Sequence, residues 1–265
     1  MIMRAKVNLA AVMALLFLAL TAPALAAGVD TGFSADEALK TLKDGNARYL
    51  EGKATHPHQD AARRALTAGQ GQHPFAAVLS CSDSRAPVEL IFDQGIGDLF
   101  VVRVAGNVAA TDEIGTMEYA VDHLGTPVVV VLGHSQCGAV TAAVEGTKLP
   151  GSMGVLVAPI KPAADKAKEE NPGAAMEALV AAAVKENVFQ AMEDMLQKSP
   201  LIKARVKAGK TKLLGAVYEL DTGQVQWLGP HPNQERLLGG KGKAEGPKAG
   251  VKTGKRVKKK EPESD

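Results

Sequence analysis

The sequence predicts an α/β fold with a central, mostly parallel β-sheet flanked by helices. Two observations carry this expectation. Three short runs, residues 75–80, 99–104 and 127–132, are β-branched or apolar along almost their whole length, as strands covered on both faces are. Stretches of helical character separate them, and strand alternating with helix is the pattern of a parallel sheet.

Taken in order, Ser34-Ala35-Asp36-Glu37 is a capping box that opens a helix to about Leu50. The run 75–80 is the first strand and ends at Cys81. The run 99–104 is the second, and a helix over 111–123 follows it. The third strand, 127–132, leads through Gly133 into a helix over 138–145. A long helix over 172–197 comes next, parted from its predecessor by Asn171-Pro172. Residues 212–218 and 224–228, joined by Asp221-Thr222-Gly223, read as a late β-hairpin. No internal repeat is visible, and a single domain over 27–238 accounts for the pattern.

The two ends have a different composition. Residues 1–26 combine Arg4 and Lys6, an apolar run over 9–20 and the small-x-small site Ala24-Leu25-Ala26, which together are the parts of an export signal. As a helix, the apolar run reaches about 18 Å, short of the ~30 Å hydrocarbon core. The expectation is a removed signal peptide and a soluble mature chain, periplasmic or secreted, with no transmembrane span. Residues 239–265 mix Gly, Lys, Pro and Glu with almost no apolar content, and so read as a basic disordered tail.

Of the 265 residues 46% are hydrophobic, which excludes a disordered chain. The 31 basic and 29 acidic side chains give a formal net charge of +2. The basic excess lies in the leader and in the tail around Lys255-Arg256 and Lys258-Lys259-Lys260, so the body between them is acidic. With no aromatic residue interleaved among those lysines, no nucleic-acid partner is expected.

Two cysteines are too few for a disulfide scaffold or a four-cysteine zinc finger. Both fall at strand ends. Cys81 stands in Cys81-Ser82-Asp83-Ser84-Arg85, and Cys137 closes His134-Ser135-Gln136-Cys137. In an open parallel sheet the carboxyl ends of the strands share one edge, where ligands bind. The two segments can therefore meet, with His134 and Cys137 expected on one face of a helix's first turn. Two thiolates and one imidazole form a catalytic-type zinc set with a fourth position free. A structural Cys81–Cys137 disulfide and a thiol nucleophile served by His134 are the alternatives. Asp83 and Arg85 have a role beside a metal and none in a plain disulfide.

Cys81-x-Asp83-Ser84-Arg85 followed by His134-x-x-Cys137-Gly138 resembles the β-class carbonic anhydrases of exported bacterial type. The resemblance runs from about Ser34 to Gly229 and includes residues 95–103 and Glu118-Tyr119-Ala120. It implies zinc-dependent reversible hydration of carbon dioxide to bicarbonate and a proton, in a homodimer or homotetramer. By the same resemblance Cys81, His134 and Cys137 are the zinc ligands. Asp83 and Arg85 are the dyad that orients a zinc-bound hydroxide, with Asp83 itself a ligand only in a closed state. Gln72, Phe100 and Tyr119 match residues that line the substrate pocket, Phe100 reaching over from a partner subunit. Ala105 stands where some relatives have valine. Val78 stands where one branch carries a regulatory tryptophan, so that regulation is not expected, although Arg103 matches another part of it. His56, His58, His73, His123 and His231 all titrate in a range useful for a proton shuttle. A carbon disulfide or carbonyl sulfide hydrolase on the same site, and a catalytically silent zinc-binding relative, are the rival functions.

Overall fold

The computed structural model describes residues 31–240. The leader over 1–26 lies outside them, as does all of the basic tail beyond Gly240. Helix α1 (Ala35–Leu50) begins at the expected capping box: Ser34 accepts from the Glu37 amide while the Glu37 carboxylate returns to the Ser34 amide. Helix α2 (Ala61–Gln70) follows, capped by Asp60. Then come β1 (Ala76–Ser80), the single turn α3 (Val88–Ile91), β2 (Leu99–Arg103) and α4 (Thr111–Glu118). After β3 (Val128–His134) the chain runs through α5 (Gly138–Glu145), α6 (Ser152–Val157), α7 (Lys161–Glu170), α8 (Met176–Lys198) and α9 (Pro200–Lys207). It closes with β4 (Lys212–Tyr218), β5 (Val225–Gly229) and the short α10 (Gln234–Leu237).

The sheet order is β2-β1-β3-β4-β5. β1 pairs in parallel with both β2 and β3, and β3 in parallel with β4. Only the terminal β4–β5 hairpin is antiparallel, so the expected mostly parallel sheet is present. Every residue of β1 and β3 is buried, which is why those strands read as unbroken apolar runs. Strand alternation sends Leu79, Val129, Val131 and Leu213 to one face, under α8. Val78, Val130, Leu132 and Leu214 go to the other, under α1 and α3. Each such side chain fully withdrawn from water contributes about 1.5–3 kcal/mol before the cost of ordering it. Among the described residues no helix is long and apolar enough to cross a membrane.

Three boundaries differ from the sequence reading by two residues or more. The long helix starts at Met176 rather than at 172, because Asn171 closes α7 onto the Ala167 carbonyl and Gly173 takes a left-handed φ of 76°. The helix expected over 111–123 is regular to Glu118 and then widens into a π-turn over Tyr119–His123. The third strand extends two residues further than expected, to His134. Helices α2 and α9 went unread although each has a legible start: Asp60 caps α2, and Ser199 before Pro200 caps α9.

Candidate metal centre

The site lies at the carboxyl edge of the sheet, where β1 and β3 lie side by side. Cys81 directly follows β1 and is buried. His134 is the last residue of β3, paired with Tyr218 of β4. Cys137 is the N-cap residue of α5. His134 and Cys137 therefore do not share the first turn of one helix. They meet across a sharp strand-to-helix turn, made by Gln136 in a left-handed conformation (φ 56°). The ligand atoms of Cys81, His134 and Cys137 lie within 4.8 Å of one another, and all three residues are buried. Both cysteines are free thiols, not a disulfide.

Neighbouring groups orient each member. Nδ1 of His134 lies 2.8 Å from the Ser135 carbonyl, to which it donates. That fixes the tautomer and leaves Nε2 as the lone-pair side. Ser135 is itself held: its amide donates to Tyr218 O, and its hydroxyl accepts from the Leu220 amide. Nε2 is buried and has no hydrogen-bond partner among the described residues. An orphaned imidazole nitrogen costs free energy unless something completes it, and a cation between two sulfurs does so. Two thiolates and an imidazole suit zinc.

Electrostatics point the same way. Hydrogen bonding from Cys137, against the burial that opposes it, holds the Cys81 thiol down to about 4, with help from His134 and the Gly106 amide. Cys137 is pushed up, first by sharing its proton with Cys81 and then by burial. His134 is raised: burial resists protonation, but the Cys81 sulfur outweighs it. The protein groups alone thus gather one thiolate and one shared proton around a point that attracts positive charge.

Asp83 and Arg85 sit on the loop after Cys81. Arg85 Nε donates to Asp83 Oδ1 at 3.0 Å and its Nη2 to Oδ2 at 2.9 Å. The Arg85 amide adds a third bond to Oδ1 at 2.9 Å. Oδ2 is 3.8 Å from His134 Nε2, so the carboxylate faces the cluster without joining it. The Arg85 side-chain hydrogen bonds, outweighing burial and helped by the Arg85 amide, hold Asp83 far below the usual carboxylate range.

The expected pocket residues lie elsewhere in the chain. Gln72 is exposed and precedes the amino end of β1, about 17 Å of strand from the edge that carries Cys81. Phe100 lies near the start of β2, opposite Ala77. Its ring is 6.0 Å from that of Tyr119, which is 45% exposed and stacks in turn on His123 at 4.7 Å. Of the other histidines, His58 binds the Asp98 carboxylate and His231 is buried against Phe189.

Two contributions to the site went unread, one of them from Arg103, which the sequence marks only as part of a regulatory match. Arg103, opposite Ser80 in the sheet, donates to the carbonyls of Cys81 at 3.0 Å and Asp83 at 2.6 Å. It thereby clamps the loop that bears the site. The Gly106 amide donates to Cys81 Sγ at 3.3 Å. The turn-forming pair Gly106-Asn107 after the second strand was the only local signal of it.

Comparison with known proteins agrees with this geometry. Residues 76–225 match the family model described as carbonic anhydrase. A protein named Carbonic anhydrase 2 from Mycobacterium tuberculosis is 37% identical over 192 residues, spanning 71% of this chain and 90% of the relative. The carbonic anhydrase of Mycolicibacterium smegmatis is 39% identical over 193 residues, 71% of this chain and 91% of its own. Among solved structures, one described as a tetrameric beta-carbonic anhydrase from Sordaria macrospora superposes with a TM-score of 0.59 at 27% identity, covering 70% of this chain and 94% of that one. A β-carbonic anhydrase of Aspergillus fumigatus gives 0.60 at 28% identity, covering 77% and 96%. The chain belongs to the carbonic anhydrase family, in its β class, whose members depend on zinc and interconvert carbon dioxide and bicarbonate.

Proposed function

We propose that the chain hydrates carbon dioxide reversibly at a zinc held by Cys81, His134 and Cys137, with Asp83 and Arg85 as the orienting pair. One observation carries this reading: both oxygens of Asp83 are engaged by Arg85 while Oδ2 faces His134 Nε2 at 3.8 Å. Zinc, when bound, supplies a Lewis acid that brings the ionisation of water into the neutral range. Asp83 stays ionised throughout that range and can only accept a hydrogen bond. It would accept a hydrogen bond from the attacking hydroxide, without taking its proton, and so fix the direction of the lone pair that meets the carbon. Arg85 keeps Asp83 in that role, since joining the metal as a fourth ligand requires breaking the two-pronged pair.

The substrate pocket of this reading is completed by a second copy of the chain. β2 is the edge strand beside β1, with half-buried side chains along most of its length and no strand on its outer side among the described residues, and Phe100 and Tyr119 form a partly exposed aromatic patch on and beside it. Gln72, Phe100 and Tyr119 then line the neighbour's site in a homodimer or homotetramer. Residues 1–26 direct export to the periplasm or beyond, and the mature chain starts after Ala26.

Stopped-flow hydration of carbon dioxide tests the catalytic reading. At pH 8.5 the wild-type chain should outpace Cys137→Ser by at least about a hundredfold, as expected for losing a metal ligand. Equal rates overturn it. Sedimentation of the mature protein as a monomer overturns the shared pocket.

A further inference from the structure

Asn187 lies in the middle of the apolar stripe of α8, between Val184 and Ala191, and is 2% exposed. An amide in such a place is unfavourable unless it is bonded. Its Nδ2 donates to the Gly106 carbonyl at 2.7 Å, across 81 residues of sequence. Gly106 and Asn107 both take left-handed conformations, φ 74° and 45°, the second of them costly for a residue with a side chain. The peptide joining them is pinned at both ends: the Asn107 amide donates to Val104 O at 3.0 Å, and the Gly106 carbonyl accepts from Asn187. With that peptide fixed, the preceding amide, Gly106 N–H, points at Cys81 Sγ. The same turn of α8 packs against the residue before His134, because a side-chain carbon on Gly133 would meet Val188 at 2.8 Å and Val184 at 3.3 Å. One helical turn therefore braces the backbone beside two ligands.

We propose that Asn187 is a positioning residue for the metal centre: its buried amide holds the Gly106 turn so that the Gly106 N–H donates to the Cys81 thiolate. The proposal rests on the reading of Cys81, His134 and Cys137 as the zinc site. A hydrogen bond to a ligating sulfur withdraws electron density from it, which leaves the metal more acidic and tunes its hold on the thiolate. Position 187 thus acts on the pH at which the enzyme works without touching metal or substrate.

The test uses the full chain loaded with cobalt(II), whose sulfur-to-metal charge-transfer band reports on the thiolates, and the zinc-loaded chain for turnover. Asn187→Leu removes the donor at nearly constant volume. Its band should move to lower energy, its zinc should pass to a chelator at least about tenfold faster, the scale on which outer-shell changes act, and the pH midpoint of kcat should rise. Leu196→Ala, also buried on α8 but half a turn around the helix from Asn187 and nine residues along it, should lower the melting temperature and leave the band and the midpoint in place. If Asn187→Leu does not fold, Asn187→Ala gives the same readouts. A band, transfer rate and midpoint all equal to wild type overturn the proposal alone. A wild-type chain that takes up no metal overturns the site reading and this proposal with it.

Discussion

Asp83 and Asp93 are two acidic residues held by arginines, and they serve different ends. Asp83 faces the cluster, and Asp83→Asn keeps the shape while removing the charged acceptor. Turnover should fall by about a hundredfold or more, the scale of a lost proton-accepting group. Zinc content, read by metal analysis, should remain near one per chain; parallel loss of metal would make Asp83 chiefly a ligand. Asp93 is fully buried and accepts from Arg48 Nε at 2.6 Å, from the Thr55 amide and hydroxyl, and from the His56 amide. Asp93→Asn breaks a buried pair and should cost about 3 kcal/mol in urea unfolding, with the zinc site intact. Residues close together in sequence were the legible ones here: Cys81 with Asp83 and Arg85, and His134 with Cys137. Arg103, Gly106 and Asn187 were not, because each acts through a backbone group that only the fold brings near. Asp93 announces nothing in sequence, since its partners lie some 40 residues upstream.

Among the elements, α1 shows how a helix position can be set by its neighbour's backbone. Gly45 lies on its buried face with Ala38 and Leu42, and a side-chain carbon there would fall 1.8 Å from the Phe92 carbonyl oxygen. Helix propensity alone favours Gly45→Ala by about 1 kcal/mol. The backbone clash should reverse the sign, so the variant should melt lower than wild type; a rise in melting temperature would show that α1 and the 88–93 segment separate freely. The strands were readable because β1 and β3 are buried on both faces and carry no polar interruption before their ends. The start of α8 was not, since the local signal at Pro172 is overruled by the left-handed Gly173. The π-turn at Tyr119–His123 leaves no periodic trace either, being one wide turn appended to a regular helix.

Across the whole molecule, charge and acid sensitivity follow from where ionisable groups are buried. His231 is enclosed beside Phe189, accepts from the Asn233 amide on Nδ1, and is pushed down to about 4 by burial and by the nearby Lys166 and Arg236. A histidine depressed in the folded state gives stability that is present above its ordinary pKa and is lost as pH falls from about 6.5 toward 4. Asp93 lies at about 2 in the fold, its hydrogen bonds from Thr55, Arg48 and His56 overcoming burial. Its contribution fades below the ordinary carboxylate pKa, from about 4 down to 2. Unfolding free energy should therefore decline in two stages on acidification, and His231→Phe should flatten the upper one. An unchanged slope between pH 6.5 and 4 in that variant would refute the assignment. The fold class and the ligand set were legible at this scale from strands buried on both faces and from Cys81, His134 and Cys137 standing at strand ends; the half-exposed Tyr119 beside Phe100 was not, since exposure is a property of the folded chain.

The parallel register of β3 with β4, from Val128 opposite Lys212 to His134 opposite Tyr218, has a consequence for the order of assembly. It joins segments about 80 positions apart, and contacts of such range form late and slowly. The backbone that holds Ser135, and through it the His134 imidazole, comes from residues 218 and 220. The third ligand is aimed only once nearly the whole body has folded. Metal uptake thereby becomes a checkpoint on completed folding: an unfinished chain presents two loose thiols, and a finished one presents a cage.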